Sequence, residues 1–143
     1  VLDRAPLCGM AGSLKALALC WLNEPQAALA HAEQASHMPA LGPERAWRDH
    51  VTALAHYVAG RYEDAVLWAR SSATHHPELA ANLRVLASSL AVLGRLDEAQ
   101  QSAAQVLVID PRFRIGSWRT RSLLPGGSLE AMAQRLRLAG LPG

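Results

Sequence analysis

The chain has 143 residues, half of them apolar but only seven aromatic, and a formal net charge of +2. That length supports one domain whose core is built from Ala and Leu rather than from rings. Strand formers are sparse, no stretch alternates with period two, and no uncharged apolar run reaches the roughly 18 residues a membrane span needs; a sheet protein and a membrane span are excluded, and an all-α fold is expected.

In chain order, the first helix is expected near residues 7–22 and the second near 25–38, with Asn23 at the turn between them. Cys8 and Cys20 lie twelve residues apart on the first helix. At ~1.5 Å per residue that is about 18 Å, too far to bridge. Two free thiols and the lack of a signal-peptide pattern point to a reducing, cytoplasmic compartment. "MPALGPE" at 38–44 is a connector. Helices follow near 44–59, 62–75, 78–93 and 96–109, and their loops of two or three residues force antiparallel neighbours. Because the chain opens at Val1 without Met, it is expected to be the C-terminal part of a longer protein.

The middle of the chain repeats itself. "GRYEDAVLWARSSATHHP" at 60–77 returns as "GRLDEAQQSAAQVLVIDP" at 94–111, a period of 34 residues. Gly60 and Gly94 suit a left-handed turn that ends one helix, and Tyr62 and Leu96 open the next. Ala65 and Ala99 permit close helix approach, and Pro77 and Pro111 stop the second helix of each unit. A looser copy, "ALCWLNEPQAALAHAEQA" at 18–35, has Asn23 in place of the glycine, and Ala28 precedes Ala65 by 37 residues. The units are therefore about 7–38, 44–77 and 78–111.

Beyond Pro111 the pattern decays and the charge changes sign. Residues 1–110 carry eight Lys/Arg against eleven Asp/Glu, whereas 111–143 carry six Arg against Glu130 alone. "RFRIGSWRTRSLL" reads as a short helix and "PGG" as a break. Ser128 reads as the N-cap of a last helix whose Leu129, Met132, Ala133, Leu136 and Ala139 share one face. Residues 112–143 would thus cap the open end of the last unit.

A 34-residue helix-pair repeat with these turn residues resembles the tetratricopeptide repeat. The runs "AHYVAGRYEDAVLWAR" (55–70) and "LRVLASSLAVLGRLDEA" (83–99), the "DP" pair (110–111) and the closing "LRLAGLP" (136–142) are similar to the C-terminal repeat regions of bacterial class III adenylate/guanylate cyclases and winged-helix transcriptional activators. The resemblance implies a right-handed superhelix of about three helix pairs plus a capping pair. It also implies a regulatory, protein-binding appendage in the bacterial cytoplasm, with the effector domain on the same chain. Where relatives that clamp an acidic peptide C-terminus have Lys and Asn, this chain has His50 with Leu54 and Arg84 with Ser88, so that clamp is not expected.

The expected partner surface is the concave face formed by the first helix of each unit. Trp47, His50, Leu54, Tyr57 and Val58 project there from the second unit, and Ala81, Arg84, Ser88, Ala91 and Val92 from the third. Met10, Ser13, Leu17, Cys20 and Trp21 are the counterparts in the first unit. Met10, Leu14, Leu17 and Trp21 also form an apolar face suited to self-association. Arg112, Arg114, Arg119 and Arg121, interleaved with Phe113 and Trp118, are candidate contacts for an acidic partner or nucleic acid, the alternative to groove binding along with a purely structural scaffold. No cofactor, metal or catalysis is expected. The six histidines lack ligand spacing, Ser71, Ser72, Ser88 and Ser89 lack a base, and "LPGGSLE" at 124–130 lacks the lysine of a phosphate loop.

Overall fold

The computed structural model describes the backbone of residues 4–143 and the side chains from residue 9 onward. The fold is all-α, as the composition predicts, with eight helices among the described residues: α1 (Arg4–Trp21), α2 (Pro25–Ser36), α3 (Gly42–Val58), α4 (Tyr62–His75), α5 (Ala80–Val92), α6 (Leu96–Ile109), α7 (Ile115–Arg121) and α8 (Gly126–Leu138). None is long and apolar enough to cross a membrane.

The turn chemistry explains the helix ends. Gly60 has φ of +79° and Gly94 of +76°, a region that any Cβ would disfavour. At the first, the Gly60 N–H donates to the Tyr57 carbonyl (3.0 Å) and the Arg61 N–H to the His56 carbonyl (2.8 Å). The same two bonds recur at Gly94 to Ala91 (3.1 Å) and Arg95 to Leu90 (2.9 Å), which ties off carbonyls that the helix leaves orphaned. Asn23, at φ of +59°, reproduces them with Cys20 (3.3 Å) and, through Glu24, with Leu19 (2.9 Å). Helices α4 and α6 then begin with paired acids, Glu63 with Asp64 and Asp97 with Glu98, which suit the positive helix start.

Successive helices pack as pairs, α1 on α2, α3 on α4 and α5 on α6, and the pairs meet through α2–α3 and α4–α5 contacts. The first helices of the pairs also touch one another, α1 with α3 and α3 with α5. Alanine makes this spacing possible: Ala28, Ala32, Ala53, Ala55, Ala65, Ala69, Ala87 and Ala99 are all fully enclosed. Helix α3 lies at the centre and buries even Arg48, Asp49, His50, Thr52 and His56. Such groups are tolerated only with partners. Arg48 donates to the carbonyls of Ala35 (3.1 Å), Met38 and Pro39 (3.1 Å) and to the Glu44 carboxylate (3.1 Å), so it holds the connector to its own helix. A Cβ on Gly9 would fall 2.6 Å from that guanidinium, which is why α1 presents a glycine there. Between helices, Ser72 Oγ donates to Ala46 O (2.6 Å), Ser71 Oγ to Asp49 Oδ2 (2.6 Å) and Asn82 Nδ2 to Ala69 O (2.8 Å).

The C-terminal segment departs from expectation at Ser128, which is not the cap of α8, because the Leu129 N–H already donates to the Pro125 carbonyl (2.8 Å) and the helix starts inside the "PGG" segment. Helix α8 packs along α5, the first helix of the last pair, and against α7. The apolar face of Met132, Ala133 and Leu136 is buried on the side where the first helices of the pairs are aligned. The chain end returns to α7, where the Ile115 and Gly116 N–H groups donate to Pro142 O (2.9 Å) and Gly143 O (3.2 Å).

Candidate functional site

A cavity of about 560 Å³ opens where α1, α3 and α5 meet the C-terminal segment. Helix α1 contributes Leu17 and Trp21, α3 contributes His50 and Leu54, and α5 contributes Ala81, Arg84 and Val85. These are first-helix positions of all three units. The opposite wall is Phe113, Trp118, Arg121, Leu123, Leu124 and Met132 of the C-terminal segment, with Asp110 at the end of α6.

Four lining groups are titratable: His50, Arg84, Asp110 and Arg121. Burial drives the His50 pKa down to about 4; the neighbouring Asn82 amide opposes this and Arg84 reinforces it. His50 Nδ1 and Asn82 Oδ1 are buried without a hydrogen-bond partner, and burial outweighs the Asn82 amide. His50 is therefore neutral at pH 7. Arg84 is pushed down to about 10, first by burial and then by the like charge of Arg121, with Asp110 acting the other way. It remains a cation, its guanidinium carbon 5.5 Å from the centre of the Phe113 ring.

The residues expected on an open concave face have separate fates. His50, Leu54, Ala81 and Arg84 line the cavity, as do Leu17 and Trp21. Tyr57 is not free. It is buried, and its hydroxyl accepts a hydrogen bond from Arg135 (2.8 Å) on α8. The same guanidinium stacks 5.5 Å from the Tyr57 ring and 5.1 Å from Tyr62. Ser88 and Ala91 are also buried, because α5 is packed by α3, α6 and α8 at once. Ser13 and Cys20 are likewise inside. Trp47, Val58 and Val92 are half-buried; Trp47 and Val58 lean on the core, and none of the three reaches the cavity.

The four C-terminal arginines do not make one patch. Arg119 pairs with Glu130, and Arg121 turns toward the cavity. Arg112 and Arg114 are exposed. Sequence reasoning missed the second wall. Its signal lay in Phe113 and Trp118, expected beside the arginines as contacts for an acidic partner or nucleic acid, and in Met132, expected on the face of a capping helix.

Elsewhere the chemistry is structural. Burial pushes the Cys20 thiol up to about 12, where it is no nucleophile. Cys8 has its side chain outside the described residues. His56 is buried, 4.0 Å from Asp64, and its pKa is lowered chiefly by burial. Among the described residues no three His, Cys, Asp or Glu side chains are grouped to hold a metal ion. No protein-family model matches the chain, and a search of curated proteins finds no significant match.

Proposed function

We propose that the chain is a non-enzymatic interaction module of the tetratricopeptide type: three stacked helix pairs forming a right-handed superhelix, with α7 and α8 returning over its inner face. In this reading the module regulates a longer cytoplasmic protein by docking a peptide or helix from a partner or from that protein's own effector domain. The 34-residue period and the thrice-repeated turn bonds at Asn23, Gly60 and Gly94 support it.

The observation that carries the docking surface is on α1. Met10 and Leu14 are 41% and 53% exposed and share a helix face with Leu17 and Trp21, which enter the cavity. An apolar stripe running from solvent into a pocket suits the apolar face of a partner helix or an extended peptide. The test is selection of a displayed peptide library on the chain, followed by titration of the enriched peptides against Leu14→Glu and Trp21→Ala variants. Enriched peptides are expected to lose at least about tenfold in affinity to either variant, as for removal of a central apolar anchor. Binding that survives both substitutions places the docking surface elsewhere.

A further inference from the structure

The cavity has an electrostatic property that an apolar docking stripe does not require. Its lining holds two guanidiniums, Arg84 and Arg121, against one carboxylate, Asp110, and a neutral imidazole. Among the described residues, neither guanidinium makes a side-chain hydrogen bond or lies within 4.0 Å of a carboxylate oxygen. Asp110 instead accepts the Arg112 backbone N–H (3.3 Å). One positive charge is thus left uncompensated inside a partly desolvated hollow, where an anion is worth more than at an open surface.

Apart from Ser122 the rest of the lining is apolar and aromatic, with Trp21, Leu54, Trp118 and Met132 around the cations. A volume of about 560 Å³ lies within the roughly 300–1,000 Å³ typical of small-molecule sites. The hollow is also bounded lengthwise. One turn beyond Leu54 the Tyr57–Arg135 contact bridges α3 to α8, so an extended chain cannot continue along the first helices past that point. These features favour a compact ligand over a long one.

We propose that the cavity binds a small organic acid, an apolar ring or short aliphatic body carrying one carboxylate, with the carboxylate held between Arg84 and Arg121. The apolar body lies against Trp21, Leu54 and Trp118. Phe113, stacked on Arg84, keeps that guanidinium from folding away. The site shares Trp21 with the docking stripe on α1 but rests on its own cations, so Arg121→Gln tests it without touching the stripe and Leu14→Glu tests the stripe without touching the cations.

The test is calorimetric titration of the chain with 2-naphthoate and with its uncharged counterpart 2-naphthalenemethanol. The acid is expected to bind about tenfold or more tightly than the alcohol, the usual worth of a charge-assisted contact. Arg121→Gln, at an exposed position that the fold does not depend on, is expected to remove that preference while leaving the alcohol's affinity unchanged. Arg84→Gln should do the same, and Arg114→Gln, at an exposed residue outside the cavity, should leave the acid-to-alcohol ratio as it was. Equal affinities for acid and alcohol, a preference that survives Arg121→Gln, or no binding of naphthoate at millimolar concentration each overturn the proposal. So does a site that ignores naphthoate but takes an acidic peptide.

Discussion

Between α3 and α6 the chain is shaped by its backbone and by small residues, whereas α7 and α8 are placed by large side chains. In the central pairs Gly60 and Gly94 set the turns, and Ala65 and Ala99 set the interhelix distance. In the C-terminal segment α8 packs on α5 and α7 on α8, with Ile115, Trp118, Met132 and Leu136 buried, and Arg135 reaches to Tyr57 and Tyr62. The difference matters for function. A stack built on turn geometry propagates from unit to unit, so its surface is set by the neighbours on either side. A segment held by side-chain contact is bound to the stack much as a ligand is, and it forms one wall of the cavity.

The largest test of that contrast compares Leu90→Ala with Leu136→Ala, two side chains with no exposure at all. Each truncation should cost about 2–5 kcal/mol. Leu90→Ala is expected to lower the main unfolding transition of the whole chain in urea. The Leu136→Ala cost should instead fall on the C-terminal segment, read by hydrogen exchange as early opening of α7 and α8 while α3 to α6 stay protected. One shared transition in both variants would make the two regions a single cooperative unit and remove the contrast.

His50 lies at the seam between the regions and reports on it through pH. Its folded pKa of about 4 is below the unfolded value of 6.5, so the folded state resists a proton that the unfolded state accepts. The stability this provides is complete above pH 6.5 and is lost as pH falls toward 4, by at most about 3 kcal/mol. His56, also shifted down by burial, adds a smaller loss in the same direction. Unfolding free energy measured from pH 7.5 to 4 should therefore fall, and His50→Gln should flatten the curve without abolishing its slope. Leu136→Ala should flatten it too, because an undocked α8 rehydrates the cavity. An unchanged curve in His50→Gln would mean that the imidazole is solvated already.

Within the repeats, the close-contact role of Ala99 is checked by Ala99→Leu, expected to cost about 1–3 kcal/mol through overpacking, against Gln101→Leu on the exposed face, expected to be near neutral. Equal melting temperatures would put the α5–α6 contact elsewhere on the helix.

What could be read in the sequence divides along the same line. Helices α2 to α6 and their turns were legible because Gly60, Gly94 and Asn23 impose a backbone conformation that few residues adopt, and because the 34-residue spacing repeats the instruction. That His50, Leu54 and Arg84 share one side of the first helices was legible for the same reason, and all three line the cavity. Their degree of burial was not. Tyr57 was expected on the same side, yet it is covered by Arg135 from the last helix of the chain. Nothing periodic announces where α8 docks. Its apolar face says only that it must cover something, and both the end of α6 and the side of α5 satisfy that demand. Arg48 was missed for a related reason. An arginine four residues after Glu44 reads as half of an ordinary helix-surface ion pair, and only the folded connector brings the carbonyls of Ala35, Met38 and Pro39 to it.

The smallest expected effect isolates the hydrogen bond that joins α8 to α3. Arg135 donates to the Tyr57 hydroxyl across 78 residues of sequence and stacks on two rings, Tyr57 and Tyr62, which themselves meet edge to face at 5.6 Å. The guanidinium is partly solvated, so its removal costs much less than that of a buried ion. A cation–π contact of this kind with one hydrogen bond is worth about 1 kcal/mol. Arg135→Gln should therefore lower the main transition by no more than about 3 °C. What should change is local: faster exchange along α8, and a Tyr57 hydroxyl that ionises at higher pH than in the parent, because burial already raises its pKa and the lowering effect of Arg135 is lost. Arg135→Lys keeps the charge but loses the planar stack, so it should fall between the parent and Arg135→Gln. If both variants leave α8 exchange untouched, the C-terminal segment is held by its apolar face alone. Tyr57 would then be enclosed by packing, with no part in fixing where α8 lies.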